Sequence, residues 1–394
     1  MLDPRQLLLE SLDAALRAVD GESCVAQSLR GFNSGPVALA AIGKAAGAMT
    51  RGAHAALGER IRQALVITKD GHAETAVRRL PRVHVIESAH PVPDERSLAA
   101  GAELERWIGT LPADVQPLFL VSGGASSLVE SLQPGVTLDD LRELNARGLA
   151  AGWDIGRLNA ARVKLSQLKG GGVARLLRGR AAHALFISDV PGDDPDVIGS
   201  GLLGRDPGTE DRVTRVIVAN IDVAARAAAA AAEAHGLDVV LRTSRFSGEA
   251  AQVARDFIEA ARHTAADVLV WGGESTVTLS GATGRGGRNQ HLALAAAGML
   301  GATENITLLA AGTDGTDGPT DDAGAMVDGG TLARAELAGA DVERALREFD
   351  AGLALEAAED LVHTGPTGTN VGDILIAFRR NGTRVRDLAT PRML

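Results

Sequence analysis

Short apolar runs that stop at glycine or at a charged residue recur along the chain, and most are followed by stretches with apolar positions at helical spacing. Val37–Ile42, Ala64–Thr68, Val83–Ile86, Pro117–Val121, Ala184–Ser188, Val216–Val218, Val239–Leu241, Val268–Trp271, Val277–Leu279, Ile306–Ala311 and Ile374–Phe378 each predict a strand. Ser97–Ile108, Asn159–Leu168, the alanine-rich Val223–Ala234, Gly248–His263 and a stretch from Gln290 predict helices. Leu8, Leu12 and Val19 share one face of an amphipathic first helix, with charged residues between them, so this segment is not a signal peptide. Strands that alternate with helices and end in polar or glycine-rich loops belong to parallel α/β sheets, which bind ligands outside the carboxyl ends of their strands. A division into residues 1–235 and 236–394 follows the alanine-rich helix and the His235-Gly236 stop. The first helix is free to pack on either unit.

Composition narrows the partners. With 394 residues and 45% hydrophobic content the chain can bury sizeable cores, and its length alone suggests two or three domains. A formal charge of -10 argues against general binding to nucleic acid or to an anionic membrane. No targeting segment or membrane-length apolar run is visible, and the lone Cys24 cannot form an intrachain disulfide. The expectation is a cytoplasmic protein, monomer or homodimer, acting on small molecules.

The loops carry the chemistry. Gly312–Gly330 sets Asp314, Asp317, Asp321 and Asp322 among glycines, like charges that repel unless a cation sits among them. A second acidic loop, with Asp189 and Asp193, follows the strand at Ala184–Ser188, and two such loops suggest a metal or metal-nucleotide site. Lys44 lies at a strand-to-helix junction, where free N–H groups favour anions. Ser122-Gly123-Gly124-Ala125-Ser126-Ser127 offers backbone and hydroxyl donors for phosphate, and does not match a nucleophile elbow. Arg162 and Lys169, seven apart, are expected on one helix face. In the loop Gly281–Asn289, Arg285 and Arg288 suit bidentate recognition of carboxylate or phosphate. His72 and His90 lack metal-ligand spacing and read as loop-stabilising or substrate-contacting residues.

The strings GKAAGAM, SAHPVPD, SGGASSL, LSQLKGGGVA, SDVPGDDPDVIGSG, GGRNQHLALA, AGTDGTDGPTDDAGA and HTGPTGTNVGD span nearly the whole chain, which resembles the type II glycerate kinases, or glycerate 2-kinases, of the MOFRL family. The resemblance implies two α/β domains, a Rossmann-like mostly parallel sheet plus a second mixed α/β (MOFRL-type) domain, with the active site in the cleft between them. It implies transfer of the ATP γ-phosphoryl group to the 2-hydroxyl of D-glycerate, with ATP and Mg²⁺. Lys44, Asp189, Arg285 and Asp317 are the expected catalytic residues; Ser122, Gly123, Gly124, Ser126, Lys169 and Asn370 the expected nucleotide contacts; His90 and Arg288 the expected substrate contacts; Asp193 and Asp314 the expected metal ligands. Which aspartate acts as base stays open. Ala125, Val163 and Leu202-Leu203 depart from the family's usual SGGGSAL, N-x-x-R-K-H-L-S and GSGPT. The competing readings are an NAD(P)H-dependent hydroxypyruvate reductase, a name members of the family have carried, a kinase for a related sugar acid, and a catalytically dead sugar-acid sensor. For the reductase, the dinucleotide fingerprint is missing: Gly284-x-Gly286-x-x-Asn289 breaks at its third glycine.

Overall fold

Six parallel strands, β1 (Val37–Ile42), β2 (Ile61–Lys69), β3 (Val83–Ser88), β4 (Gln116–Val121), β5 (Ala182–Ile187) and β6 (Val213–Ala219), build the first sheet of the computed structural model in the order β3-β2-β1-β4-β5-β6. Residues 3–380 are described, apart from 34, 152, 154, 207, 209, 280–283 and 303. Every residue of β1 is buried, because both faces are covered: Leu39 and Ala41 face one core, Ala38, Ala40 and Ile42 the other. Near-continuous apolar strands are what a parallel sheet flanked by helices requires.

The strand order reverses between β1 and β4, the point at which sheets of this order bind ligands. The loops that follow these two strands are tied together. Lys44 N donates to Gly123 O at 2.9 Å and Ala45 N donates to Ser122 Oγ at 3.0 Å. Gly43 has φ 134°, and a Cβ there would overlap Ser122, so glycine is required for the approach.

The second sheet, β11-β10-β9-β12-β8-β7, is mixed. Its strands are β7 (Val239–Glu249), β8 (Val268–Thr276), β9 (Ile306–Gly312), β10 (Gly324–Asp328), β11 (Leu361–Val362) and β12 (Asp373–Arg379). β7 and β8 are parallel, while β12 runs antiparallel to both β8 and β9. Alternate residues serve opposite cores: Val270, Leu309 and Ile376 pack on one side, Leu269, Leu308 and Leu375 on the other.

The helices Pro4–Ala18 and Ile221–Ala234 share the core on the first of these faces. Ala224, Ala225, Ala228 and Ala232 form the buried stripe of the second helix, and their small side chains let it lie close to β7, β8 and β12. A boundary at 235/236 assigns this helix to the first unit, whereas its packing is on the second sheet. Arg5 adds ion pairs from the first helix to Asp328 at 3.1 Å and Asp360 at 2.5 Å.

Two local expectations change. Val277–Leu279 is no separate strand, because β8 already runs through Thr276 alongside β7. The helix containing Arg162 spans Ile155–Leu165, so Lys169 lies beyond its end and the two do not share its face. Residues 281–283 of the loop leading to Arg285 lie outside the described part.

Candidate active site

Several of the candidate side chains gather where the β1 and β4 loops of the first sheet meet the β9 loop of the second. Lys44 follows β1 and reaches Asp314, just past β9, with Nζ donating to Oδ2 at 2.7 Å; the side chains are 19% and 13% exposed. Asp189 follows β5, and its Oδ2 accepts from Asn370 Nδ2 at 2.9 Å, a second bridge between the two units. Gly123 lies under that bridge, and a Cβ on it would overlap both Asn370 Nδ2 and Asp189 Oδ2.

The electrostatics couple these groups. Burial raises Asp189 above the ordinary carboxylate range, and Lys44 opposes that rise. Burial also pushes Asp314 up, but the Lys44 ammonium outweighs it and holds Asp314 below its ordinary value. His90 is lowered to about 4, first by burial and then by Lys44 and Lys69, so it is neutral at physiological pH.

Arg288 stands on the second-sheet side. Its Nε and Nη2 form a bidentate pair with buried Asp373, at 2.6 and 2.7 Å, and Nη2 lies 3.1 Å from Glu274 Oε1. Glu274 keeps 46% of its side-chain surface, but the surrounding walls remove enough water to raise it to about 7, with Arg288 opposing and Asp373 and Asp189 reinforcing. Burial works against the Arg288 charge and Asp373 overrides it, so Arg288 is held above its ordinary value.

Several expected roles meet a different geometry. Arg285 pairs with Glu356 at 2.6 Å and Asp322 at 3.4 Å; of the two arginines it is Arg288 whose charge acts on Asp189 and Asp314. Asp317 is 1% exposed, and its oxygens accept from Asn289 N, Gln290 N and Asn289 Nδ2, which caps the helix Arg288–Ala297 rather than facing a reactant. Burial, only partly offset by these donors, raises it to about 7. Asp193 is held by Arg245 at 2.6 Å and by Asn220 at 2.8 Å. Lys169 is 2% exposed and paired with Glu130, and Ser122 Oγ is turned onto Ala45 N. Ser126 Oγ lies 2.6 Å from Ser200 Oγ. Ala125 points its methyl into the core, so its departure from the family's glycine adds no group to the site.

Comparison with known proteins agrees with this architecture. The model of a domain of unknown function, DUF4147, matches residues 7–235, and that of the MOFRL family matches residues 267–373. D-glycerate 2-kinase of Thermotoga maritima is 34% identical over 96% of this chain and 100% of its own length. The chain belongs to the glycerate 2-kinase family. A family member from Pyrococcus horikoshii, named glycerate 2-kinase, is 31% identical over 96% of this chain and 98% of its own. The crystal structure of glycerate kinase from Thermotoga maritima superposes with a TM-score of 0.83 at 32% identity, covering 95% of this chain and 99% of that one.

Within this glycerate 2-kinase family framework the carboxylates bear on metal binding. Five of them, Asp189, Glu274, Asp314, Asp317 and Asp373, surround the two cations Lys44 and Arg288. No group of three or more His, Cys, Asp or Glu side chains among the described residues is placed to hold a metal unaided. Mg²⁺ needs one or two carboxylates when phosphates and water complete its shell, and Asp314 fits that requirement.

Glu274 and Asp373 were not among the candidates read from sequence. Glu274 carried a usable signal, since Gly272-Gly273-Glu274 interrupts an apolar run as the other site loops do. Asp373 closes the HTGPTGTNVGD string, but nothing in that string marks it as a partner for Arg288. It opens an antiparallel strand, so the amino end of β12 lies beside the carboxyl ends of β8 and β9.

Proposed function

We propose that this protein transfers the γ-phosphoryl group of ATP to the 2-hydroxyl of D-glycerate, giving 2-phosphoglycerate and ADP. The observation that carries the reading is the convergence of Lys44 and Asp314 with Asp189 and Asn370 from two separate sheets, in a chain that aligns end to end with glycerate 2-kinases. Phosphoryl transfer asks the protein for positive charge, alignment and a route for one proton.

Lys44 supplies the charge, its Nζ already held by Asp314 on the far side of the junction. Arg288, fixed by Asp373, adds to the local positive field. Asp189 takes the proton of the 2-hydroxyl as its oxygen forms the bond to Pγ and the bond from Pγ to the ADP oxygen breaks; a carboxylate raised by burial is the better base. Asn370 fixes that carboxylate, and Gly123 leaves room for it. Mg²⁺, which Asp314 would hold together with the phosphates while Asp189 stays free as base, would neutralise phosphate charge.

The test is incubation with ATP, Mg²⁺ and D-glycerate, coupled to enolase with and without phosphoglycerate mutase. Phosphoenolpyruvate without mutase is the expected result. Its appearance only with mutase would move the acceptor to the 3-hydroxyl, and NADH oxidation with hydroxypyruvate in place of ADP release would make the protein a reductase.

A further inference from the structure

Beside Lys44, on the first-sheet side, lies a polar cavity of about 170 Å³ whose walls include His90, Ser126, Glu130, Asn145, Arg162 and Lys169. Its lining includes Gly124, where a Cβ would meet both the His90 ring and the Lys44 side chain. Nucleotides and drug-sized ligands occupy pockets of roughly 300–1,000 Å³, so this one suits a much smaller guest.

The charges in its wall do not balance. Glu130 is matched by Lys169, a pair buried to 0% and 1% side-chain exposure, with Ser166 Oγ also donating to Glu130 at 2.5 Å. Arg162 is left over. Its Nε donates to Asn145 Oδ1 at 2.8 Å and its Nη1 to Asn159 Oδ1 at 3.3 Å, both neutral amides, and no carboxylate pairs with it among the described residues. The arginines expected from sequence to hold an anion are in the opposite state: Arg285 is paired with Asp322 and Glu356, Arg288 with Asp373 and Glu274. A half-buried guanidinium with amide partners alone keeps donors for one carboxylate, and the cavity then becomes neutral.

We infer that the Arg162 cavity is the acceptor subsite, which takes the carboxylate of a small hydroxy monocarboxylic acid and directs its hydroxyl past Gly124 toward Lys44. This rests on the kinase reading above. Arg162 holds the carboxylate, Asn145 and Asn159 orient the guanidinium, and neutral His90, in the lining beside Gly124, can hydrogen-bond a hydroxyl. A dianionic acid leaves one carboxylate unpaired in this small space, so dicarboxylates are excluded.

The experiment compares full-length wild type, Arg162→Gln and Asn145→Asp with ATP, Mg²⁺ and either D-glycerate or its neutral isostere D-glyceramide. Loss of a hydrogen-bonded charge predicts a fall of about 10- to 100-fold in kcat/KM for glycerate in Arg162→Gln. The KM for ATP should stay within about twofold, and the wild-type preference for glycerate over glyceramide should collapse. Asn145→Asp brings a carboxylate to Arg162 with almost no change of shape, so it should produce the same collapse even where Arg162→Gln fails to fold. An active wild type whose preference for the acid survives in either folded variant overturns the subsite while leaving the kinase reading intact. A wild type that phosphorylates neither compound overturns the kinase reading instead. Isothermal titration with glycerate then decides the subsite, supported by binding that is lost in both variants and overturned by binding they retain or by none in wild type.

Discussion

Replacing Lys44 by Met removes the charge at the centre of the proposed mechanism while keeping most of the side-chain volume. Two effects follow from the 2.7 Å pair with Asp314. Removing one preorganised electrostatic donor costs about 10²–10³ in kcat in comparable sites. Breaking a fully buried pair by deleting one partner costs about 3–5 kcal/mol, and since these side chains keep 19% and 13% of their surface a smaller cost, about 2–3 kcal/mol, is expected. With about 2 cal/mol/K of unfolding entropy per residue over 394 residues, that loss moves Tm by only about 3 °C. Activity, not melting, is therefore the sensitive readout. The pH dependence has a definite sign. In wild type Asp314 is held below its ordinary value, so its contribution to stability is present above the unfolded pKa and is lost as pH falls through the folded one. Without Lys44, burial stands unopposed by its main partner and Asp314 rises. The variant's deficit should then be smaller near pH 4, where wild-type Asp314 is still ionised, and grow toward pH 8. The assay is kcat at saturating ATP and glycerate, with melting curves at both pH values. Adding Asp314→Asn should recover the Tm at pH 8 without recovering kcat. A Lys44→Met enzyme within about fivefold of wild-type kcat would refute the assigned role.

Arg285→Ala should keep kcat within a few-fold of wild type, because Arg285 is committed to Glu356 and Asp322; a loss of 10² or more, measured by ADP release, would return it to the site. Glu274→Gln should remove a step centred on about pH 7 from the kcat/KM profile, since in wild type Glu274 loses its hold on Arg288 as pH falls through that value; a step of unchanged position and size would assign the titration to another group. In Gly123→Ala the new Cβ collides with the ends of two side chains that can rotate away, so the Tm should fall by no more than a few degrees while kcat drops about tenfold or more as Asp189 and Asn370 separate; normal turnover would show that this bridge is not needed.

What the sequence by itself determined are the features that depend on local periodicity and backbone freedom. The apolar runs of β1, β4 and β5 are nearly continuous and are set apart by helical stretches, so they could only be interior parallel strands, and their carboxyl-end loops located Lys44, Gly123 and Asp189. The overlap a Cβ would create at Gly43 and Gly123 shows why glycine stands there, and that signal was legible in the strings themselves. The pairing of charges was decided by tertiary structure alone. Arg285 and Arg288 are three residues apart and look equivalent in sequence, but Arg288 opens the helix Arg288–Ala297 facing Asp373, whereas Arg285 lies beyond its start, against Asp322 and Glu356. Asp314 and Asp317 share one motif; the turn between them sends the first to Lys44 and the second under a helix start. Arg162 is distinguished by the absence of a carboxylate partner among the described residues, and Asp373 by the antiparallel direction of β12. Sequence specifies which charges exist and which loops carry them. An ion pair is a property of distance in the folded chain, and Lys44 and Asp314, 270 positions apart, meet only because two sheets direct their loops at each other.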